Sequence, residues 1–370
     1  MFDRFFSFFS HDIGIDLGTA NTLVWVLGKG IVVREPSVIA MHKKTKKIIA
    51  IGTEAKKMIG KTPAPLITIR PLKGGVISDF DATRAMIAHY IKGVHGMGNR
   101  FSNILAKPKV VIGIPSSVTE VERRAVWEAA LKAGAREAYL IEEPMAAAIG
   151  EGISVFQPNG IMVVDIGGGT TEIAVISLGG IVVSRSLRLA GDDMNHAIVH
   201  YIRLRHSLLI GETTAEELKI KIGSAYKKSP KAKTKIVKYK NEKDEVKEDS
   251  NDKMYIVRGR DIESGLPKSL RVTEVEVREA ISPVVSQIIE AIADILEESP
   301  PELTSDILEN GILLTGGGAM LAGLDHLIVE RTHMPVNVAV EPLLSVVKGT
   351  GRVLEDAKLL HRVKVTGGLY

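Results

Sequence analysis

The feature that most restricts this chain is a strand–turn–strand pattern written twice. "IGIDLGTANTLVWV" (13–26) and "VVDIGGGTTEIAV" (163–175) superpose with Asp16 over Asp165. Each reads apolar run, Asp, aliphatic residue, Gly, three small residues, Thr and a second apolar run. Two copies so far apart predict two lobes built on one plan. At 370 residues and 45% hydrophobic, the chain is long enough to bury a large core and to form more than one lobe.

Between and after the copies, strand-like and helix-like segments alternate, the pattern of an α/β protein. "KVVIGIP" (109–115) predicts a buried strand ending at Pro115, and 116–135 a helix with Ser117 and Glu120 spaced as a capping box. "AYLIEE" (138–143) predicts another strand, after which Pro144 opens a short helix at its favoured first-turn position. "GILLTGGGAMLAGLDHLIVERT" (311–332) predicts strand, triple-glycine turn and helix.

Glycine supplies positive φ and close packing, and in a turn it also exposes backbone N–H groups that can cradle phosphate. Three such turns occur, at 16–22, 165–171 and 315–319, and the first two follow an Asp directly. Asp16 and Asp165 at strand ends would meet phosphate oxygens. Like charges ~4 Å apart repel by ~4 kcal/mol at an effective dielectric of ~20, which calls for a divalent cation between them. Mg²⁺ uses one or two carboxylates together with phosphates and water, which is what this arrangement offers. The duplication therefore reads as two lobes facing each other across Mg-nucleotide. Other phosphate motifs fail: "GKT" at 60–62 has Ala55 where a P-loop needs Gly, and no G-x-G-x-x-G opens a helix after a strand. With no Cys, thiolate metal sites and thiol nucleophiles are excluded. A net charge of +4 makes no case for nucleic acid.

"DLGTANT", "DIGGGTTE" and "LTGGGAML" resemble the two phosphate motifs and the adenosine motif of the actin, sugar-kinase and chaperone ATPase superfamily. Within it, "GIDLGTANTLVWVLGKGIVVREPSVIA", "EEPMAAAIG" and "TGGGAMLAGLD" are similar to the MreB family of bacterial actins, from about Asp12 to about Leu360. The resemblance implies an actin-like ATPase fold, two ribonuclease H-like lobes of two subdomains each around a nucleotide cleft. Gly18, Thr19, Ala20 and Asn21 would hold phosphate from one lobe, and Gly167, Gly168, Gly169 and Thr170 from the other. Asp16 and Asp165 would lie near Mg²⁺, largely through its waters. Glu143 stands where the family keeps the residue that orients the attacking water, with Thr170 assisting and Glu142 as the neighbouring competitor. The adenosine side would use Gly191 and Asp193, Glu216, Glu217 and Lys219, and Gly316, Gly317, Gly318, Ala319 and Met320. An ordinary exposed i,i+3 charged pair is the other reading of Glu216 and Lys219. The cofactor would be ATP with Mg²⁺, with GTP as the alternative nucleotide.

The same resemblance divides the chain into a first large subdomain at 1–34, 72–150 and 346–370 and a small one at 35–71. The second large subdomain takes 151–185 and 261–345, and the second small one 186–260. An extended hairpin at about 227–256, with seven lysines and no acid from Lys227 to Lys240, is longer than the family usually carries. It reads as a solvated tip or as a contact arm.

Phe2, Phe5, Phe6 and Phe9 fall at i, i+3, i+4 and i+7, one stripe of a helix. The stripe either packs back on its own lobe or lies in a membrane interface. Met97 and Phe101 form a weaker second candidate at the position of the family's membrane-facing loop. No apolar run reaches the ~20 residues of a membrane span, and "MFDRFFSFFS" lacks a secretory signal. The expectation is a protein inside the cell, peripheral on the inner face of the membrane. It would assemble into homopolymeric filaments, maintain rod shape by guiding lateral peptidoglycan synthesis, and work with membrane proteins of the elongation machinery. A chaperone-type ATPase and a small-molecule kinase are the rivals. The former would carry a substrate domain after the point where this chain ends, and no pocket residue recommends the latter.

Overall fold

The computed structural model describes residues 10–95, 107–226 and 253–365. The hydrophobic runs of the duplicated motif become the central strands of two five-stranded sheets with the same internal order. In the first, Ile13–Leu17 pairs antiparallel with Asn21–Val26, which pairs with Gly30–Pro36. On its other side it runs parallel to Lys109–Ile114, which runs parallel to Glu137–Glu142. In the second, Ile161–Ile166 pairs antiparallel with Thr171–Ser177 and through it with Gly180–Leu187. Its other edge runs parallel to Ile312–Thr315 and then Val336–Val338. Asp16 and Asp165 occupy equivalent registers, opposite Leu23 and Glu172 across the hairpin and beside Gly113 and Thr315 on the parallel side. These strands are buried on both faces, so they read as continuous apolar runs rather than as alternation.

Each large sheet carries a small one. Ile39–His42, Ile48–Ile51 and Leu66–Ile69 form a three-stranded sheet within 35–71. Leu208–Leu209, Met254–Asp261 and Pro267–Thr273 form the other. That second sheet takes in a strand beyond the expected subdomain boundary at 260, because Arg260 pairs with Pro267 across a turn whose Gly265 has φ +70°. The strand Met254–Asp261 therefore has its long pairing partner downstream, and residues 227–252 of the expected hairpin lie outside the described residues.

Two helices, Glu143–Gly150 and Ser345–Glu355, cross between the large sheets. Their side chains join Val111 of the first sheet and Val163 of the second in one buried cluster. They approach to backbone contact at glycine. A Cβ on Gly349 would lie 1.8 Å from the Ala146 carbonyl oxygen, and one on Gly150 would lie 1.9 Å from that of Ser345. This is the joint of the two lobes. The helix Glu120–Lys132 starts later than the sequence implied. Its capping box is Thr119 with Glu122, not Ser117 with Glu120.

Candidate functional site

Above this joint the two glycine turns face each other across a cleft of about 420 Å³. The strand ends bring Asp16, Gly18, Thr19, Ala20 and Asn21 to one wall and Asp165, Gly167, Gly168, Gly169 and Thr170 to the other. The turns touch. A Cβ on Gly168 would stand 2.5 Å from that of Ala20, and one on Gly169 would stand 2.7 Å from Thr19 Oγ1. Only hydrogen at these positions leaves room for the facing turn. Gly75, at φ +75°, donates its N–H to Thr19 Oγ1 at 3.1 Å and closes the floor beside Thr170.

Glu143 opens the helix that starts at the end of Glu137–Glu142, and it too lines the cleft. Glu142 lies at that strand's last position, outside the cleft lining, and burial raises its carboxyl above the ordinary range against the pull of Arg123. Asp16 and Glu143 are half-buried but face the enclosed space. Loss of solvent pushes Asp16 up to about 7. It pushes Asp165 up to about 8, with Asp16 and Glu172 adding repulsion. Glu143 is held well above the usual carboxylate range by burial first, then by Glu172, Asp16 and Asp165. Among the described residues no three carboxylates or imidazoles converge closely enough to chelate a cation by themselves. A divalent ion here would need oxygens from water or phosphate as well.

At the other end, Gly191, Glu216 and Lys219 line the cleft with Gly316, Gly317, Gly318 and Met320. Lys219 Nζ donates to the Gly191 carbonyl at 2.6 Å, and burial lowers its pKa. Gly316, at φ +80°, lets its backbone pass so close to Asp165 that a Cβ would fall 2.2 Å from Oδ1. Glu216 also meets Lys56 of the first lobe at 2.8 Å. Three expected residues are not brought into the cleft lining. Asp193 turns back to accept from the Ala190 N–H at 2.9 Å, Glu217 is exposed, and Ala319 is buried in the core of its lobe.

Asp192, the neighbour of Asp193, lines the cleft and pairs with Arg70 of the other lobe at 2.6 Å. Asn195, one helical turn beyond Gly191, is buried in the lining with its Oδ1 unpartnered. Glu172, 1% exposed, stands behind Asp165. Each had a signal in the sequence, since Asn195 shares a helix face with Gly191 and Glu172 ends the quoted "DIGGGTTE". Phe2, Phe5, Phe6, Phe9, Met97 and Phe101 lie outside the described residues. Among those described, no helix is long and apolar enough to cross a membrane.

The donor set fits a magnesium nucleotide. Glycines leave a backbone-lined cradle, an amide oxygen waits without a donor, and two acids, Asp165 buried and Asp16 half-buried, sit at the strand ends with both carboxyls raised by loss of solvent. The family model for MreB/Mbl protein matches residues 10–243 and 238–362. The cell shape-determining protein Mbl of Bacillus subtilis is 45% identical over 358 residues, covering 97% of this chain and all of that one. The cell shape-determining protein MreB of Escherichia coli K12 is 47% identical over 359 residues, covering 96% of each. Among solved structures, MreB5 of Spiroplasma citri bound to ADP matches with a TM-score of 0.82 at 37% identity, covering 95% of this chain and 98% of that one. A MamK double helical filament matches in fold, with a TM-score of 0.74 at 22% identity over 94% of this chain and 99% of that one.

Proposed function

Because the chain belongs to the MreB/Mbl family, we propose that it is an actin-like cell-shape protein that binds ATP in the interlobe cleft and hydrolyses it slowly in a homopolymeric filament. The filament lies along the inner face of the cell membrane and guides lateral wall synthesis. One observation carries the reading: two glycine turns from separate lobes meet beside the carboxylates Asp16, Glu143 and Asp165, in a cleft at the joint of the lobes. The family and the relatives' names support the cell-shape role, and the MreB5 complexes with ADP and AMPPNP support the nucleotide.

Gly18 to Asn21 and Gly167 to Thr170 would hold the phosphates by backbone N–H groups and hydroxyls. Asp16 and Asp165 would hold the cation, largely through its waters. A divalent cation bound with the nucleotide supplies the positive charge that keeps both acids ionised and offsets charge on the transferring phosphoryl group. Glu143 lies beside them and would orient a water for in-line attack, accepting its proton at the carboxylate. The Phe2, Phe5, Phe6 and Phe9 stripe would anchor the polymer. One copy gains roughly 1.5–3 kcal/mol per buried ring, and many copies on one filament bind by avidity.

Co-sedimentation with anionic liposomes, with and without ATP and Mg²⁺ across a range of concentrations, tests the reading. Pelleting with lipid above a critical concentration is expected, with lipid binding reduced when residues 2–9 are deleted. Protein that stays monomeric at every concentration refutes the filament, and retained lipid binding in the deletion refutes that anchor.

A further inference from the structure

We infer that Glu172 is a positioning residue of the cleft. It ties the turn that follows one lobe's strand to the sheet of the other lobe, and so sets how Glu143 faces Thr170. The inference rests on the ATPase reading given above.

Glu172 lies on Thr171–Ser177 with Asp165 opposite on one side and Ser186 opposite on the other. At 1% exposure its carboxylate has no access to water, and such a group is retained only where its oxygens are bonded. The two oxygens have partners in different lobes. Oε1 accepts from Ser186 Oγ at 2.5 Å, within its own sheet, and Oε2 accepts from the backbone N–H of Ser116 at 3.0 Å, in the first lobe. Ser116 follows the strand Lys109–Ile114 by two residues. That strand end supports the proposed water-orienting residue, because the Cβ position of Gly113 lies 3.5 Å from Glu143 Cγ. Pro115 in turn packs at the Gly75 position that also abuts Thr170 Cγ2, with distances of 2.7 and 2.8 Å from a Cβ built there. The tether thus runs from the second sheet, through Ser116 and the end of Lys109–Ile114, to Glu143. Neither Glu172 nor Ser116 lines the cleft, so the tether joins the lobes outside that lining, whereas the Lys56–Glu216 and Arg70–Asp192 pairs each use a lining residue, Glu216 or Asp192.

Reach decides the matter. The Glu172 side chain spans from Ser186 to Ser116. Gln has the same length and can accept from the Ser116 N–H while donating to Ser186 Oγ. Asp keeps the charge but is one methylene too short to meet both. Steady-state phosphate release and amide hydrogen exchange over residues 115–118 are measured for wild type, Glu172→Asp and Glu172→Gln. A displaced reacting group costs up to ~100-fold in rate. Glu172→Asp is therefore expected to lower kcat about tenfold or more, with KM for ATP within about twofold, and to raise exchange at Ser116. Glu172→Gln should restore most of the rate and the protection. A Glu172→Asp protein like wild type, or a Glu172→Gln protein as impaired as Glu172→Asp, overturns the tether. Absence of phosphate release from wild type would defeat the ATPase reading instead. In that case the Ser116 exchange still decides, and equal exchange in all three proteins overturns the inference.

Discussion

Asp165→Asn should stabilise the nucleotide-free protein, and more so as the pH rises. Burial, then Asp16 and Glu172, hold the Asp165 carboxyl at about 8 against an ordinary 3.8. Between those values the folded chain holds a proton that the unfolded chain has released. Stability therefore falls as pH rises, by about 1.4 kcal/mol per pH unit for one such group. From pH 5.5 to pH 8 this amounts to about 3 kcal/mol for Asp165 alone. Asp165 also helps to hold Glu143 up, so Glu143 gives up its proton at lower pH in the Asn variant, which adds to the difference and leaves the expected change at about 3 kcal/mol. Asn cannot titrate, so the margin of the variant over wild type should widen by that amount across the interval. Urea unfolding of chelator-treated, nucleotide-free protein at pH 5.5, 6.5 and 8 measures it. Adding ATP and Mg²⁺ at pH 8 should narrow the margin. A ligand at 100 times its Kd adds about 2.7 kcal/mol to wild type, and the variant, having lost a cation-side carboxylate, should gain less. A margin that stays constant with pH would refute the claim that Asp165 is stored as a strained acid for a cation to relieve.

Glu143→Gln should lower phosphate release from filaments by at least a hundredfold while nucleotide binding persists; unchanged release would move the role to Glu142 or Thr170. Lys56→Ala removes a pair whose partners are 33% and 28% exposed. Such a pair is worth under about 1 kcal/mol, so ADP dissociation measured by stopped flow should accelerate by no more than about fivefold, and an unchanged rate would deny the pair any part in holding the cleft shut. Gly349→Ala drives a methyl into the Ala146 carbonyl at the joint. Overpacking there should lower stability by about 1–3 kcal/mol or more, visible as a lower melting temperature, and a wild-type melt would mean that the helix pair separates freely.

What was legible in the sequence followed from short-range rules. The apolar runs ending in Asp-aliphatic-Gly placed the central strands and both turns, and the structure puts the two Asp residues in equivalent registers. The errors came where two neighbours satisfied one rule equally well. Ser117/Glu120 and Thr119/Glu122 have the same capping spacing, and Thr119 is the residue that caps. Thr119, at ψ 161°, is the last extended residue before the helical turns begin, so it is Thr119 whose hydroxyl accepts from the Glu122 N–H. In "GDDM" Asp193 is the residue expected on the adenosine side, and Asp192 is the one that lines the cleft. The helix start decides, because Asp193 at the third position reaches back to the Ala190 N–H and Asp192 is left to meet Arg70.

Helical phase would have separated Glu216 from Glu217. Ala215, Leu218 and Ile222 mark the buried stripe, and Glu216 lies three residues before Lys219, so the two share a face while Glu217 points to solvent. The ties between the lobes had no such local trace. Lys56 to Glu216, Arg70 to Asp192 and Glu172 to Ser116 join residues 160, 122 and 56 positions apart. Each lies on an element whose own pattern is complete without it. The apolar runs specify the sheets and the helical joint between them, whereas these three polar ties depend on how the finished lobes meet.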